Sequence, residues 1–371
     1  MSKLQNEAEL WDVGCDKEEA KLIVNYLKEN EYDKMDEKLS EIINFAAAIG
    51  NKAAQKYFRA ISKTRAVKEL TSKTVMDFAT SVNKKVALNY FLAIAKTGRV
   101  DILTSRQAMN FATTIDLIDA DEYFNAIAET GEAEKLTSKE FMNFVKSIGP
   151  FASWEYLRAI AKSRNIDALM SKHTIEFATT INKEAAETYF NAVSESGKAD
   201  ALTEKSLIEW LKRIHKLNSS NIKSMLELLP NIAEILDYSS SHITKTAPSF
   251  SKDPIINLLD LKKAIKNPDK FKAEILGLSE LVKNLKIAEK KGFGSIDAKA
   301  FKRLIALYNK TGKSISYIAL ASNFINKKED LKVLLSGQKG NIDKMIVKGV
   351  NSYFNIKGLP KTINEWGGAE T

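Results

Sequence analysis

The residue types able to carry out chemistry are few and scattered in this chain. His173, His215 and His242 lie in three separate stretches, and with Cys15 as the single cysteine no Cys/His spacing suits zinc. No Ser, Thr or Cys stands in a nucleophile motif, and no pair of carboxylates is spaced for acid–base work. Gly292-Phe293-Gly294 follows no strand and lacks the third glycine of a dinucleotide fingerprint, so it reads as a helix-ending turn. His242, in a Ser/Thr/Pro-rich stretch, is the one histidine worth testing. The expectation is a protein without catalysis, cofactor or metal. Cys15 reads as a small buried hydrophobe rather than a reactive thiol, and a lone cysteine suits a reducing compartment.

What the sequence offers instead is cationic charge. The net charge of +9 is unevenly placed: −5 over residues 1–36, +2 over 37–201 and +12 over 202–371. The C-terminal excess is 27 Lys with only Arg213 and Arg303. Lysine supplies point charge rather than a bidentate fork. Lys262/Lys263, Lys290/Lys291 and Lys302/Arg303 form a candidate basic patch that suits phosphate and, equally, a solvated helix surface.

The elements that must position these charges are legible from a repeat. Phe45, Phe78, Phe111, Phe144, Phe177 and Trp210 are spaced by 33 residues without insertion. Tyr57, Tyr90, Tyr123, Tyr156 and Tyr189 share the register, followed by Phe58, Phe91, Phe124, Leu157 and Phe190 and by an alanine column from Ala60 to Ala192. Within one period, Val75, Met76, Phe78, Ala79 and Val82 form the apolar face of a first helix. Thr71, Thr104, Thr137 and Thr203 read as its N-caps, with Gln107 and Glu140 completing capping boxes. Gly50, Asn83, Asp116, Gly149 and Asn182 end it, being residue types that tolerate a left-handed backbone. Pro150 suits the first turn of a second helix, which runs through the Tyr-Phe core to Gly98, Gly131 and Gly197. A two-helix hairpin cannot bury its aromatic face alone, so the units must stack. The Phe and Tyr columns are then core. The fold expected is all-α: a right-handed superhelical α-solenoid of 33-residue helical hairpins, followed by a second all-α helical region.

The exposed stripe of the first helices is the candidate binding face. It carries Lys73, Arg106, Lys139, Lys172 and Lys205 in one column, Asn44, Asp77, Asn110, Asn143, Glu176 and Glu209 in the next, and then a Thr/Ser-rich set from Thr80/Ser81 to Thr179/Thr180. Such a ladder suits a phosphate backbone or an extended peptide. Units such as LTSKTVMDFATSVNKKVALNYF (70–91) and IINFAAAIGNKAAQKYF (42–58) resemble the repeats of TAL-effector-type DNA-binding proteins, helical hairpins of similar length that open with Leu-Thr and carry Ile-Gly near the inter-helix turn. At the positions matching that family's variable base-reading residue stand Ile49, Val82, Ile115, Ile148 and Ile181, all apolar. The resemblance, over about 170 residues, implies a similar shape, with DNA binding as one function.

Four regions are expected: an acidic helical cap at 1–36, opened by an Asp16–Glu19 capping box; the repeat array at 37–220; a helix and Ser/Thr/Pro-rich linker at 221–254; and a basic helical domain at 255–371. The N-terminus lacks a signal-peptide pattern and no stretch of about 18 apolar residues occurs, so a soluble cytoplasmic protein without a membrane span is expected. Three functions fit. The first is a non-catalytic scaffold that binds a protein or peptide along the repeat face. The second is a DNA- or RNA-binding protein that uses the array and the lysine-rich C-terminal half. The third is an effector or toxin with a C-terminal activity.

Overall fold

The computed structural model describes residues 3–217, 219, 222–242, 267–294, 315–336 and 338–354. All regular structure among the described residues is helical. The chain divides into two compact units, Met1–Ala199 and Asp200–Thr371.

The first unit opens with α1 (Lys3–Asp12) and α2 (Lys17–Asn30). Asp16 caps α2 in the expected box: its carboxylate accepts from the Glu19 N–H at 2.8 Å, and the Glu19 carboxylate accepts from the Asp16 N–H at 3.0 Å. Cys15 is buried beside this cap, where desolvation, with Glu19 and Asp16 adding to it, pushes the thiol far up and leaves it inert. The α-solenoid follows. Its hairpins are α3 (Met35–Ile49) with α4 (Asn51–Thr64), α6 (Lys73–Ser81) with α7 (Lys84–Thr97), α9 (Arg106–Thr114) with α10 (Leu117–Thr130), α12 (Lys139–Ile148) with α13 (Pro150–Ser163), and α15 (Lys172–Thr180) with α16 (Lys183–Ser196). The second helices pack each on the next, from α4 to α16.

Two local expectations are corrected. First, each unit holds a third element, a one-turn helix that carries the repeating leucine: α5 (Val67–Leu70), α8 (Val100–Leu103), α11 (Ala133–Leu136), α14 (Ile166–Leu169) and α17 (Ala199–Leu202). The threonines read as N-caps close this turn instead. The hydroxyls of Thr71, Thr104 and Thr137 donate to Val67, Val100 and Ala133 carbonyls at 2.8 Å. The N-cap is the next residue, Ser72, Ser105, Ser138 or Ser171, and Ser105 and Ser138 accept from Ala108 and Phe141 N–H groups at 3.3 Å. No capping box forms at Gln107, whose amide reaches the Thr137 carbonyl of the next unit at 2.9 Å. Second, the turn between the two main helices has two solutions. Gly50 and Gly149 take positive φ (83° and 86°), whereas Asn83, Asp116 and Asn182 stay near −60° to −70° and cap the second helix through their side chains. The left-handed conformation sits at the far end of that helix, at Gly98, Gly131 and Gly197 and also at Arg65 and Arg164. Pro150 opens α13 as its first residue.

The aromatic columns form the core. Each tyrosine of the column is fully buried and meets its own unit's phenylalanine edge-on, as in Phe45–Tyr57, Phe78–Tyr90 and Phe144–Tyr156, all at 5.0 Å between ring centres. It then meets the second-helix phenylalanine of the following unit, as in Tyr57–Phe91 and Tyr90–Phe124 at 5.0 Å and Tyr156–Phe190 at 4.8 Å. One link differs. Leu157 replaces that phenylalanine after Tyr123, and Tyr123 stacks instead on Phe141 at 6.4 Å. Phe141 occupies a column whose other members are Ile42, Val75, Ala108, Thr174 and Leu207, and its neighbours on either side in that column are the small Ala108 and Thr174. A small residue at one position is matched by a large one beside it, so the core volume is conserved.

The second unit continues with α18 (Lys205–Leu217), α19 (Ile222–Leu226), α20 (Leu229–His242), α21 (Pro268–Lys290), α22 (Ile315–Ser322), α23 (Lys328–Ser336) and α24 (Lys339–Phe354). Trp210, last of the aromatic column, belongs here and packs on Phe271 at 6.1 Å. The α20 helix runs through His242, so the first residues read as linker are helical; 243–254 lie outside the described residues, as do 255–266 and 295–314 of the basic region. Pro230 sits in the first turn of α20 and does not interrupt it. Gly340 lies inside the first turn of α24 rather than between helices.

Candidate binding surface of the repeat array

Lys73, Arg106, Lys139 and Lys172 are the first residues of α6, α9, α12 and α15, each directly after a serine N-cap. All four are exposed. A cation there opposes the helix dipole by about 0.3–1 kcal/mol. The placement recurs in four units, so helix stability does not explain it. Intrahelical pairing does not neutralise it either. Only Lys172 has a carboxylate partner, Glu176, at 3.8 Å. One turn beyond Arg106 and Lys139 stand Asn110 and Asn143, exposed amides, and among the described residues Lys73, Arg106 and Lys139 make no ion pair. Lys205 opens α18 in the second unit and is likewise exposed.

Several cations elsewhere on the array are instead paired across repeats. Lys96 reaches Glu129 of the next unit at 2.8 Å, Arg164 reaches the same carboxylate at 2.6 Å, and Lys135 reaches Asp167 at 2.8 Å. Arg99–Glu134 and Lys85–Asp121 also join neighbouring units. Hydrogen bonds from Lys96 and Arg164 hold the Glu129 carboxyl below its usual range. Lys96–Glu129, Arg164–Glu129, Lys135–Asp167 and Arg99–Glu134 lie at or just past the ends of the second helices and Lys85–Asp121 where they begin, and all of them stitch neighbouring repeats.

The Thr/Ser column contributes less than its chemistry suggested. The Thr80 hydroxyl is bonded to the Met76 carbonyl at 2.9 Å, Thr113 to Asn110 at 2.9 Å, Ser147 to Phe144 at 2.7 Å and Thr179 to Ile175 at 3.0 Å. Their protons are directed into their own helices, and the donors offered to an anion are the lysine, arginine and asparagine groups. Lys146 is held over the Phe111 ring of the preceding unit at 5.4 Å. Between α6 and α9 runs a groove of about 950 Å³, lined by Lys68, Ser72, Val75, Phe78, Arg106 and Met109 among others. It has an apolar floor and a rim of mixed charge, Lys68 and Arg106 with Glu69 and Asp77.

Of the C-terminal candidates the structure describes Lys290 and Lys291. Lys290 and Lys291 are exposed at the C-terminal end of α21, where cations suit the helix dipole, and Lys291 lies 6.0 Å from the Phe293 ring centre. Lys262, Lys263, Lys302 and Arg303 lie outside the described residues. The three histidines sit in α15, α18 and α20, and among the described residues no group of three His, Cys, Asp or Glu could hold a metal ion. No helix among the described residues is long and apolar enough to cross a membrane.

These features define an all-helical repeat protein in which α6, α9, α12 and α15 each open on an exposed lysine or arginine. No protein-family profile matches the chain, and no solved structure does. A 63-residue segment, 17% of the chain, is 40% identical to a double-stranded DNA-binding protein of Enterobacteria phage T4 and spans 70% of that relative. Through that segment the chain belongs to the family of the phage protein.

Proposed function

We propose that the chain is a non-catalytic, cytoplasmic binding protein whose ligand is double-stranded DNA, held mainly through its phosphates. The observation that carries this reading is the 63-residue kinship with a double-stranded DNA-binding protein. The array supports it with three cations that make no ion pair among the described residues, Lys73, Arg106 and Lys139, each at a helix N-terminus where backbone N–H groups also favour an anion. The second unit adds a lysine excess suited to phosphate. Sequence readout is not part of the proposal, since the residues at the matching turn positions are apolar: Ile49, Ile148 and Ile181 are buried, Val82 and Ile115 half-buried. The resemblance of the array to TAL-effector-type repeats enters only as a likeness of repeat.

Titration of the full chain with a labelled duplex at several salt concentrations tests this. Affinity should fall linearly in log–log form as salt rises, by a slope of about −0.9 for each phosphate neutralised. Absence of a complex even at low salt would end the DNA reading. The groove between α6 and α9 favours a second reading, a protein or peptide bound along the repeat face, because Val75, Phe78 and Met109 form an apolar floor that a phosphate backbone does not need.

A further inference from the structure

The inter-helix turns of two neighbouring units carry an apolar patch that the fold does not use. Leu117 and Ile118 are the first two residues of α10 and are 54% and 63% exposed; Phe151, the second residue of α13, is 71% exposed. Ile118 and Phe151 are one repeat apart, so they occupy the same place on adjacent helices. The Ser153 hydroxyl of α13 donates to the Asp119 carboxylate of α10, which ties these two first turns together and makes the three side chains one surface. In the other units the same column is polar: Asn51/Lys52, Lys84/Lys85 and Lys183/Glu184. The patch is therefore a local departure from a repeat that otherwise keeps this edge hydrophilic.

Each flank offers one exposed lysine, with Glu184 beside it on one side. Lys84 lies one unit before the patch and Lys183 one unit after, both exposed and without an ion-pair partner among the described residues. Each stem is laid across the glycine turn of the preceding unit: a Cβ on Gly149 would stand 3.0 Å from the Lys183 Cδ, and one on Gly50 3.3 Å from the Lys84 Cδ. Lys85 is already engaged with Asp121. From Lys84 to Lys183 the surface crosses α7, α10, α13 and α16. That is three helix spacings of 8–10 Å, or roughly 24–30 Å. An α-helix of about 18 residues is about 27 Å long.

We infer that the turn edge spanning α7 to α16 is a docking surface for a short amphipathic protein helix, apolar at its centre and carboxylate-bearing at both ends. A second copy of this chain fits less well. Two-fold pairing of the patch sets the Lys84 end of one copy against the Lys183 end of the other, cation against cation. A lipid surface fits less well too, because it would meet Asp116 and Glu184 on the same edge.

The probe is a fluorescein-labelled 18-residue peptide with Leu at i, i+3, i+4 and i+7 in its middle and Glu in both terminal turns, titrated into the full chain and followed by anisotropy. Saturable binding is expected, weakened at least tenfold by I118D/F151D and severalfold by K84E/K183E. A peptide with Lys in place of its terminal Glu should recover affinity on K84E/K183E alone. Circular dichroism of both variants and their retained binding of duplex DNA separate loss of this surface from loss of fold or of the DNA reading. No saturable binding, or binding indifferent to both variants, overturns the inference. So does a dimer in sedimentation that I118D/F151D dissolves, which would make the occupant a second copy. Co-sedimentation with vesicles of 3:1 phosphatidylcholine and phosphatidylglycerol, lost in that variant, would overturn it in favour of a lipid surface.

Discussion

Exchanging the sizes of Phe141 and Leu157 probes the stacking principle of the array. Phe141 is buried against Tyr123 and Tyr156, at 6.4 and 5.9 Å between ring centres, and stands where other units have Val75 or Ala108. Full truncation of a buried Phe costs about 3–5 kcal/mol, so Phe141→Val, which keeps part of the side chain, should cost about 2–3 kcal/mol. Leu157→Phe restores the residue of the other units, but in a site already filled by Phe141, and overpacking should cost about 1–3 kcal/mol. Together the two changes rebuild the packing seen at Tyr90 with Phe124. The double variant should lie within about 1 kcal/mol of the parent, a coupling of roughly 2–5 kcal/mol where independent sites add within about 0.5 kcal/mol. Urea unfolding followed by far-UV circular dichroism reads all four proteins. Additive losses would refute the idea that the Phe141/Leu157 pair conserves core volume.

Three further outcomes follow from buried groups. The Tyr90 hydroxyl is buried without a hydrogen-bond partner, whereas that of Tyr156 reaches the Leu169 carbonyl at 3.4 Å. Tyr90→Phe should be neutral or stabilising and Tyr156→Phe should cost about 0.5–1.5 kcal/mol by thermal or urea unfolding; equal losses would contradict the assignment. Burial, with Asp116 adding to it and the Ser153 hydroxyl opposing, pushes the Asp119 carboxyl from 3.8 up to about 6. A raised carboxyl favours the folded state while protonated, so its contribution is complete below about pH 3.8 and is lost as pH rises through about 6. Asp119→Asn should therefore gain stability relative to the parent as pH rises from 5 to 7, and a difference independent of pH would count against this. In α24 a methyl on Gly349 would run into the Phe324 side chain, while Gly340 faces open space. Gly349→Ala should lose about 1–3 kcal/mol and Gly340→Ala should gain up to about 1 kcal/mol, which melting curves separate.

The main helices were legible because their cause is periodic. The 33-residue aromatic register repeats in the sequence itself, the Asp16–Glu19 cap and Pro150 each act within one helix, and the structure keeps all three. What escaped reading acts between units or on a single turn. The one-turn helices α5, α8, α11, α14 and α17 are too short for a periodic signal, and Thr-Ser pairs allow either residue to be the cap; the hydroxyl of Thr71 bonds backwards and leaves the role to Ser72. In that column only Gly50 and Gly149 take positive φ, because Asn83, Asp116 and Asn182 serve there as side-chain caps. The charge links Lys96–Glu129 and Lys135–Asp167 could have been found by comparing charges one repeat apart. For the binding face, the sequence supplied the column of Lys73, Arg106, Lys139 and Lys172. That they head their helices and that three of them make no ion pair among the described residues became visible only once the cap was placed. The Thr80 and Thr113 hydroxyls, counted as donors, turn out to be used by their own helices.

The central claim is that the array cations contact DNA phosphates. Its most direct test is the salt dependence of duplex affinity for the full chain beside K73Q/R106Q/K139Q, a variant that changes only exposed residues and relieves unfavourable helix-dipole contacts. Expected for the variant are an unchanged or slightly higher melting temperature, weaker binding at low salt, and a log–log slope shallower by up to about 2.7, close to 0.9 for each contact removed. An identical slope and affinity in the two proteins would contradict the claim.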